Sequence, residues 1–122
     1  MNRFTDRTVV VTGGGGGIGT AVCTSFAEEG AKVAVLDRDE SAALSTAHAI
    51  TDAGGTAVAI GCDITERSSV DAGIARVNSE LGAIDALVNN AGWDLFVPFV
   101  ETQPEDWSRL IDINLIGALH MH

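Results

Sequence analysis

The chain contains 122 residues, of which 46% are hydrophobic, so it can bury a core and lacks the composition of a disordered segment. Its net charge of −10 repels phosphate backbones and argues against nucleic acid as a partner. No apolar stretch approaches the ~18 residues that a membrane span needs, and the N-terminus lacks the apolar region of a signal peptide. We therefore expect a single soluble, cytoplasmic domain that does not contact a membrane.

The first predicted element is a strand over residues 8–12, and a run of five glycines follows it at residues 13–17. A turn without Cβ atoms lets a ligand approach the backbone, and the helix behind it points free N–H groups at the same space. A pyrophosphate is the natural ligand of such a turn. Two motifs fit the run: Gly14, Gly16 and Gly19 match G-x-G-x-x-G, and Thr12, Gly13, Gly17 and Gly19 match T-G-x-x-x-G-x-G. A plain glycine-rich linker is the alternative.

Hydrophobic periodicity then alternates between helix and strand. It predicts helices over residues 17–29, 39–53 and 65–81, strands over residues 32–36, 56–61 and 84–88, and a last helix that opens with a capping box at residues 102–105. Thr65 is the predicted N-cap of the third helix. The residues expected on the inward faces of the first three helices are Ile18, Val22 and Phe26, then Leu44, Ala47 and Ile50, then Val70, Ile74, Val77 and Leu81.

These elements predict an α/β fold with a Rossmann-like doubly wound parallel sheet and helices on both faces, because the strands are rich in β-branched residues and alternate with helices. The pattern stops after the fourth strand and its following helix, so we expect a truncated sheet with the fourth strand as an exposed edge. Ligands of such sheets bind at the carboxyl ends of the strands. The residues just past each strand are therefore the candidate site.

Asp37 follows the second strand, 18 residues after Gly19. A carboxylate at this position can accept hydrogen bonds from a ribose diol and repels a 2′-phosphate, which favours NAD over NADP. The neighbouring Arg38 is able to pair with a phosphate and so weakens this preference. A helix-capping role for Asp37 is the structural alternative.

Candidate ligand contacts also follow the third and fourth strands. Asp63 can accept a hydrogen bond from an adenine amino group while Ile64 packs beside the ring, although a simple turn aspartate fits the pattern equally well. Asn90 carries an amide that can lock its turn, and the small residues Ala91 and Gly92 let a ring or ribose approach the backbone. A tight turn without a ligand is the alternative.

The last helix is predicted to bury a polar side chain. Trp107, Leu110, Ile111 and Ala118 define its inward stripe, and Asn114 falls on the same stripe. A buried amide needs hydrogen-bond partners, which are either backbone carbonyls or a water beside the ligand cleft.

Cysteine and histidine spacing predicts no metal site. Cys23 and Cys62 fit no C-x-x-C motif, and we expect both to be buried as small apolar side chains in a reducing compartment. His120 and His122 lie two positions apart, and such side chains point apart on a helix.

Together, Thr12-Gly13-x-x-x-Gly17-Ile18-Gly19, Asp63, Asn89-Asn90-Ala91-Gly92 and Asn114 resemble the short-chain dehydrogenase/reductase family over essentially the whole chain. The resemblance selects the register of Gly13, Gly17 and Gly19, so that residues 14–16 are expected to tolerate side chains better. It implies a Rossmann fold, a nicotinamide cofactor and hydride transfer at a CH–OH group. It also implies that Asn114 matches the family asparagine that holds a water in the proton relay.

A narrower resemblance concerns the substrate. Residues 90–94, 98–99 and 117–122 resemble dehydrogenases that act on alicyclic 2-hydroxyacyl-CoA thioesters, and Trp93 and Asp94 are the local pointers to that group. The family resemblance implies a small alcohol, ketone or hydroxyacyl-CoA substrate, and a full-length parent that forms a homo-oligomer.

The chain departs from the family pattern in its catalytic residues. The family carries a serine and a Y-x-x-x-K motif, whereas this sequence has no tyrosine and a single lysine, Lys32, at the start of the second strand. We therefore expect residues 1–122 to be the NAD(P)-binding N-terminal part of a longer enzyme. A free-standing nucleotide-binding module without turnover is the alternative, and another Rossmann class, such as a methyltransferase, is a more distant one.

Overall fold

The computed structural model describes residues 2–122, which form one four-stranded parallel sheet flanked by helices. The strands are β1 (Thr8–Thr12), β2 (Lys32–Asp37), β3 (Thr56–Gly61) and β4 (Ile84–Val88), in the order β3-β2-β1-β4. The helices are α1 (Gly17–Glu28), α2 (Glu40–Asp52), α3 (Arg67–Leu81), α4 (Pro104–Ile111) and α5 (Gly117–Met121). A short 3-10 helix, Phe99–Glu101, precedes α4, and a π-helical turn, Asp112–Ile116, joins α4 to α5. The predicted fold class is confirmed.

The sheet has a hydrophobic core on each face, which explains why its strands lack alternating polar residues. One core contains Val10, Leu36 and Ile60 together with α3 and Met121 of α5. The other contains Val9, Val11, Val33 and Val35 together with α1 and α2. Four of the six β2 residues and all five β1 residues are thus buried between the helices of the two faces.

The predicted inward faces of α1 and α2 are wrong at one position each. Ile18 is 77% exposed because it lies in the first turn of α1, and Cys23 takes the buried position over the sheet. Leu44 is 42% exposed, and Ala43 is buried in its place. The reason in α2 is its close approach to the glycine turn, which only small side chains on that face permit. The predicted inward residues of α3 are buried or partly buried against the core.

Two predicted helix starts are also shifted. Glu66 is the N-cap of α3, because the Thr65 hydroxyl donates to Asp63 Oδ1 (2.7 Å) and is not available to the helix. The capping box of α4 consists of Gln103 and Asp106, and Gln103 N donates to Asp106 Oδ2 (2.9 Å). The upstream residue Thr102 instead donates its hydroxyl to Phe99 O (2.6 Å).

The predicted inward stripe of the last helix is wrong. Trp107 and Ile111 are 42% and 53% exposed, and Asn114 is exposed as well. Trp107 and Ile111 precede the π-helical turn and lie on an exposed face of α4, whereas the wider turn shifts the phase only of the residues from Asp112 onward. The helix packs instead through Gly117 and Met121, both of which are buried.

Both cysteines are buried with free thiols, as predicted. Burial raises the pKa of the Cys23 thiol to about 12, so this thiol stays neutral at physiological pH. Within residues 2–122, no helix combines the length and apolar character needed to cross a membrane.

Candidate functional site

The carboxyl ends of the strands border one cavity of about 590 Å³, a size typical of small-molecule sites. Most of the predicted ligand contacts line it: Gly13, Gly17, Ile18, Gly19, Asp37, Arg38, Asp63, Ile64, Asn90, Ala91 and Gly92. Thr12 lies beneath this surface and is 1% exposed, and Asn114 is not part of the lining. The topology thus brings together residues that are far apart in sequence.

The glycine turn opens the N-terminus of α1 toward the cavity. Gly13 has a positive φ of 64°, a conformation that disfavours residues with a side chain. A Cβ at Gly19 would collide with the carbonyl oxygen of Gly13, so this glycine lets the helix pack against the turn. The N-cap, Gly16, makes no side-chain hydrogen bond to the helix. The first N–H groups of α1 are therefore free to bind an anion.

The expectation that residues 14–16 all tolerate side chains is wrong for two of them. A Cβ at Gly14 would lie 2.7 Å from Val35 Cγ1, and a Cβ at Gly15 would lie 2.6 Å from Ala42 Cβ. Only Gly16 has ordinary space, with its nearest contact at 3.5 Å. At Gly17 a Cβ would meet no protein atom within 4 Å.

Asp37 is tied to the glycine turn by its own carboxylate. Its Oδ2 accepts a hydrogen bond from Gly15 N (3.0 Å), and its Oδ1 accepts one from Asp39 N (2.9 Å). The capping of α2 falls to Asp39, whose Oδ1 accepts from Ala42 N (3.2 Å). Each Asp37 oxygen keeps a lone pair for a ligand, because a carboxylate oxygen can accept two hydrogen bonds.

Asn90 joins the turn after β4 to the glycine turn. Its Nδ2 donates to Thr12 O (3.0 Å) and Gly13 O (3.1 Å). The Thr12 hydroxyl accepts in return from the backbone N–H groups of Asn90 and Ala91, both at 3.1 Å. These four contacts fix the two turns as one rigid wall of the cavity.

Asp63 fixes the turn after β3 and keeps one oxygen available. Its Oδ1 accepts from the Thr65 amide (3.0 Å) and hydroxyl, while its backbone N–H donates to Ser69 Oγ (2.9 Å). Among residues 2–122, both hydrogen bonds to this carboxylate go to Oδ1, which leaves Oδ2 available to a ligand. The adjacent Ile64 is 8% exposed and lies against Gly117.

The side chain of Asn114 forms hydrogen bonds with backbone groups through both its amide oxygen and its amide nitrogen. Its Oδ1 accepts from Trp93 N (3.2 Å), and its Nδ2 donates to Trp93 O (2.7 Å) and Leu110 O (2.9 Å). Of the two kinds of partner that the sequence allowed, the structure shows backbone carbonyls. The π-helical turn places Asn114 so that it holds the segment that follows Gly92.

Sequence reasoning did not single out Arg109 of α4, which also lines the cavity. Its guanidinium carbon lies 4.0 Å from the centre of the Trp93 ring. Sixteen positions separate the two residues, and no motif links them. The available signal was the placement of an arginine two residues after Trp107, on a helix expected to begin at the carboxyl edge of the sheet.

Comparison with known proteins agrees with this geometry. The family model for short chain dehydrogenase matches residues 7–122. The chain therefore belongs to the short-chain dehydrogenase/reductase family. Its cofactor class is accordingly the nicotinamide dinucleotides, NAD(P).

Three similar proteins illustrate the match. Sorbitol dehydrogenase of Cereibacter sphaeroides is 40% identical over 98% of this chain and 45% of its own length. A short-chain type dehydrogenase/reductase from Mycobacterium marinum superimposes with a TM-score of 0.92 at 33% identity, covering 97% of this chain and 46% of that one. The 3-ketoacyl-(acyl-carrier-protein) reductase from Brucella melitensis, solved with NADH, has a TM-score of 0.90 at 35% identity, covering 96% and 47%. The chain spans about half the length of the relatives it matches.

Proposed function

We propose that residues 1–122 form the NAD-binding N-terminal part of a short-chain dehydrogenase that transfers a hydride at a CH–OH group. The observation that carries this proposal is the pairing, in one cavity, of an uncapped helix N-terminus behind the glycine turn with the Asp37 carboxylate. A dinucleotide needs both, because the helix end binds its pyrophosphate and the carboxylate binds its ribose diol.

The residues present fit such a cofactor. Space above Gly17 leaves room for a phosphate close to the backbone, and Asp63 Oδ2 and Ile64 offer an acceptor and an apolar surface for an adenine ring. When bound, the nicotinamide ring accepts or supplies the hydride. The chain's own residues bind and orient the dinucleotide.

We propose NAD as the preferred cofactor, because a 2′-phosphate would lie against the Asp37 carboxylate. The solved relative from Brucella melitensis contains NADH, which supports this choice. Arg38 is the contrary feature, since it lines the cavity and is exposed. A direct comparison of NAD and NADP affinities tests the preference.

We propose that Asn114 holds a water of the proton relay. Both N–H groups of its amide are occupied by backbone carbonyls, and its Oδ1 accepts one hydrogen bond from Trp93 N. One lone pair of Oδ1 is left for a water. This geometry also makes Asn114 a positioning residue for Trp93.

The proposed substrate is an alicyclic 2-hydroxyacyl-CoA, by the likeness of residues 90–94 to 2-hydroxycyclohexanecarboxyl-CoA dehydrogenase. Trp93, in the cavity lining, supplies the apolar surface that an alicyclic ring would contact. The similar proteins described above are named for different substrates, sorbitol and a 3-ketoacyl-(acyl-carrier-protein), so substrate choice is tested by activity. We also propose that the parent protein is a homo-oligomer.

A nucleotide-binding module without turnover is the second candidate function. It is favoured by the absence of tyrosine and by the position of the only lysine, since Lys32 lies at the opposite end of β2 from the cavity. Without these groups the chain has no general acid or base for the alcohol proton. General acid–base catalysis is worth about 10²–10⁴-fold in rate.

Two measurements separate the candidates. Calorimetric titration of the 122-residue chain with NAD and NADP tests dinucleotide binding directly, and failure to bind either contradicts both candidates. Sequencing the reading frame past His122 then decides between them, because a downstream serine and Y-x-x-x-K motif are required by the dehydrogenase proposal. A panel of secondary alcohols and hydroxyacyl-CoA thioesters on the encoded protein identifies the substrate.

A further inference from the structure

Two cations of the described chain differ from the others in what surrounds them. Four arginines, Arg3, Arg7, Arg67 and Arg76, form ion pairs with carboxylates. Lys32 lies at the far end of the sheet with its Nζ 3.5 Å from Leu81 O. Arg38 and Arg109 have no carboxylate partner within residues 2–122, and both line the cavity. In a chain of net charge −10, arginines that line a ligand cavity and form no ion pair there are suited to an anionic ligand.

Arg109 is placed by an aromatic ring. Its guanidinium carbon lies 4.0 Å from the centre of the Trp93 ring, within the range of a cation–π contact. Such a contact restrains the guanidinium but uses none of its N–H donors. These donors match the two oxygens of a carboxylate or a phosphate.

The backbone that carries the Trp93 ring is itself fixed. Asn114 bonds both polar backbone groups of Trp93, and a Cβ at Gly92 would lie 2.9 Å from Asn114 Oδ1. The segment after β4 is thus packed tightly against the π-helical turn. Arg109 and Trp93 form a preorganised pair, which lowers the entropy lost when an anion binds.

The pair lies away from the residues assigned to adenosine. The helical segment that starts at Pro104 touches the Asp63 side of the cavity at Gly117, which contacts Ile64. Arg109 precedes Gly117 by eight residues, or about 12 Å along a helix at 1.5 Å per residue. Trp93 follows β4, which β1 separates from Asp37 and β2. An anion at Arg109 therefore lies away from the adenosine half of the cofactor.

We propose that Arg109, seated on Trp93, is a specificity-determining residue that binds a carboxylate or phosphate group carried by the substrate. This inference rests on the proposed dehydrogenase function. It deepens that function by assigning an anionic substrate class to residues in the cofactor-binding part of the chain.

The test uses Trp93 as the reporter. Trp107→Phe leaves Trp93 as the only tryptophan and keeps the aromatic contact with Phe99. This variant of the 122-residue chain is titrated, with and without NAD, with 2-hydroxycyclohexanecarboxylate and with cyclohexanol as its neutral counterpart. We expect the carboxylate alone to give a saturable change in Trp93 emission. Arg109→Gln should weaken that binding by about 10- to 100-fold, and Arg109→Lys should restore part of it.

Arg76→Gln is the matched control, because it removes the same charge from an exposed ion pair on α3. The proposal is overturned by the absence of a saturable response to the carboxylate, or by equal weakening in Arg76→Gln. It is also overturned if Arg109→Gln weakens NAD as much as it weakens the carboxylate, since Arg109 then serves the cofactor. Failure of the proposed function is a separate result: the unmutated chain then does not bind NAD, while the titration without NAD still reports on Arg109.

Discussion

At the scale of single residues, the glycines of the turn after β1 serve different physical purposes. Gly13 adopts a positive φ, Gly19 avoids a collision with the turn, and Gly14 and Gly15 make room for neighbouring side chains. Gly17 satisfies none of these needs, because a Cβ there meets no protein atom. We attribute this glycine to the proposed approach of a dinucleotide to the backbone.

This difference predicts that Gly17→Ala folds normally but binds dinucleotide poorly. The added methyl group enters the space proposed for the pyrophosphate, and we expect NAD affinity to fall at least about tenfold, or about 1.4 kcal/mol. Gly16→Ala is the matched control, since its methyl group has ordinary space 3.5 Å from Gly13 O. Thermal unfolding and NAD titration of both variants check the prediction, and equal affinities would contradict it.

A second residue-scale prediction concerns cofactor preference. Removal of the charge in Asp37→Asn should improve NADP binding relative to NAD by about 10- to 100-fold, since the carboxylate repels the 2′-phosphate. Asp37→Ala should in addition weaken both cofactors, because it removes the acceptor that holds Gly15 N. Dissociation constants for both dinucleotides give the ratio. An unchanged ratio in Asp37→Asn would show that Asp37 does not contact the ribose.

Residue identities at the strand ends were predictable because chain order and strand direction place them at one edge of the sheet. The crowding at Gly14 and Gly15 was not, because it arises from Val35 and Ala42, which approach only in the folded chain. The Arg109–Trp93 contact was missed for the same reason, since it joins two segments across the cavity.

At the scale of elements, the π-helical turn connects the last helix to the cavity wall. Asn114→Ala removes all three side-chain hydrogen bonds that hold Trp93 and Leu110 O. We expect a loss of about 1–3 kcal/mol in unfolding free energy, at about 1 kcal/mol per bond with partial compensation by water. Chemical denaturation measures the loss, and Trp93 emission in a Trp107→Phe background reports release of the segment. Asn78→Ala, at an exposed position of α3, should have little effect.

The join between β1 and β4 depends on a carboxylate. The pairing register skips Asp85, whose Oδ2 accepts from Thr8 N (2.9 Å) and whose Oδ1 accepts from the Arg7 guanidinium (2.9 Å). The Thr8 N–H, followed by Arg7, lowers the pKa of the Asp85 carboxyl below its ordinary value of 3.8. Its side chain thus replaces a ladder hydrogen bond at the bulge.

Because the folded-state pKa is lowered, the contribution of Asp85 is complete above pH 3.8 and is lost as the pH falls through the folded-state value. Asp85→Asn should therefore lower the Tm at pH 7. The difference in Tm between this variant and the unmutated chain should become smaller as the pH falls below 3.8. The control is Asp71→Asn, which breaks an exposed i,i+4 ion pair with Arg67 and should change the Tm little at pH 7 or in acid. A difference in Tm that is independent of pH would contradict this assignment.

Element types and order were predictable from periodicity, and β3 and β4 have the predicted bounds. The errors in helix starts and inward faces occur where a polar side chain bonds to a neighbour other than the helix N-terminus, or where the helix changes its number of residues per turn. The Thr65 hydroxyl is drawn to Asp63, and the π-helical turn shifts the faces of the last helix. Neither event leaves a mark in hydrophobic periodicity, because the first is a contact between polar side chains two residues apart and the second is a change in backbone hydrogen bonding.

At the scale of the whole molecule, sheet order and charge distribution act together. The order β3-β2-β1-β4 aligns four turns around one cavity, and the two arginines that form no ion pair within residues 2–122 line that cavity. The net charge follows from the composition alone, whereas the position of these arginines could be known only from the folded structure. The proposed function and the proposed anion contact both depend on this placement.

The exposed side of α4 and α5 determines how the isolated chain behaves in the laboratory. Trp107, Ile111, Leu115 and Leu119 form an uncovered apolar stripe, each more than 40% exposed. At low ionic strength the net charge of −10 keeps such surfaces apart, but the screening length falls from about 10 Å at 0.1 M salt to about 3 Å at 1 M. Sulfate also strengthens apolar association. The chain should therefore remain dispersed in dilute buffer, precipitate early in ammonium sulfate fractionation and be retained on a phenyl column.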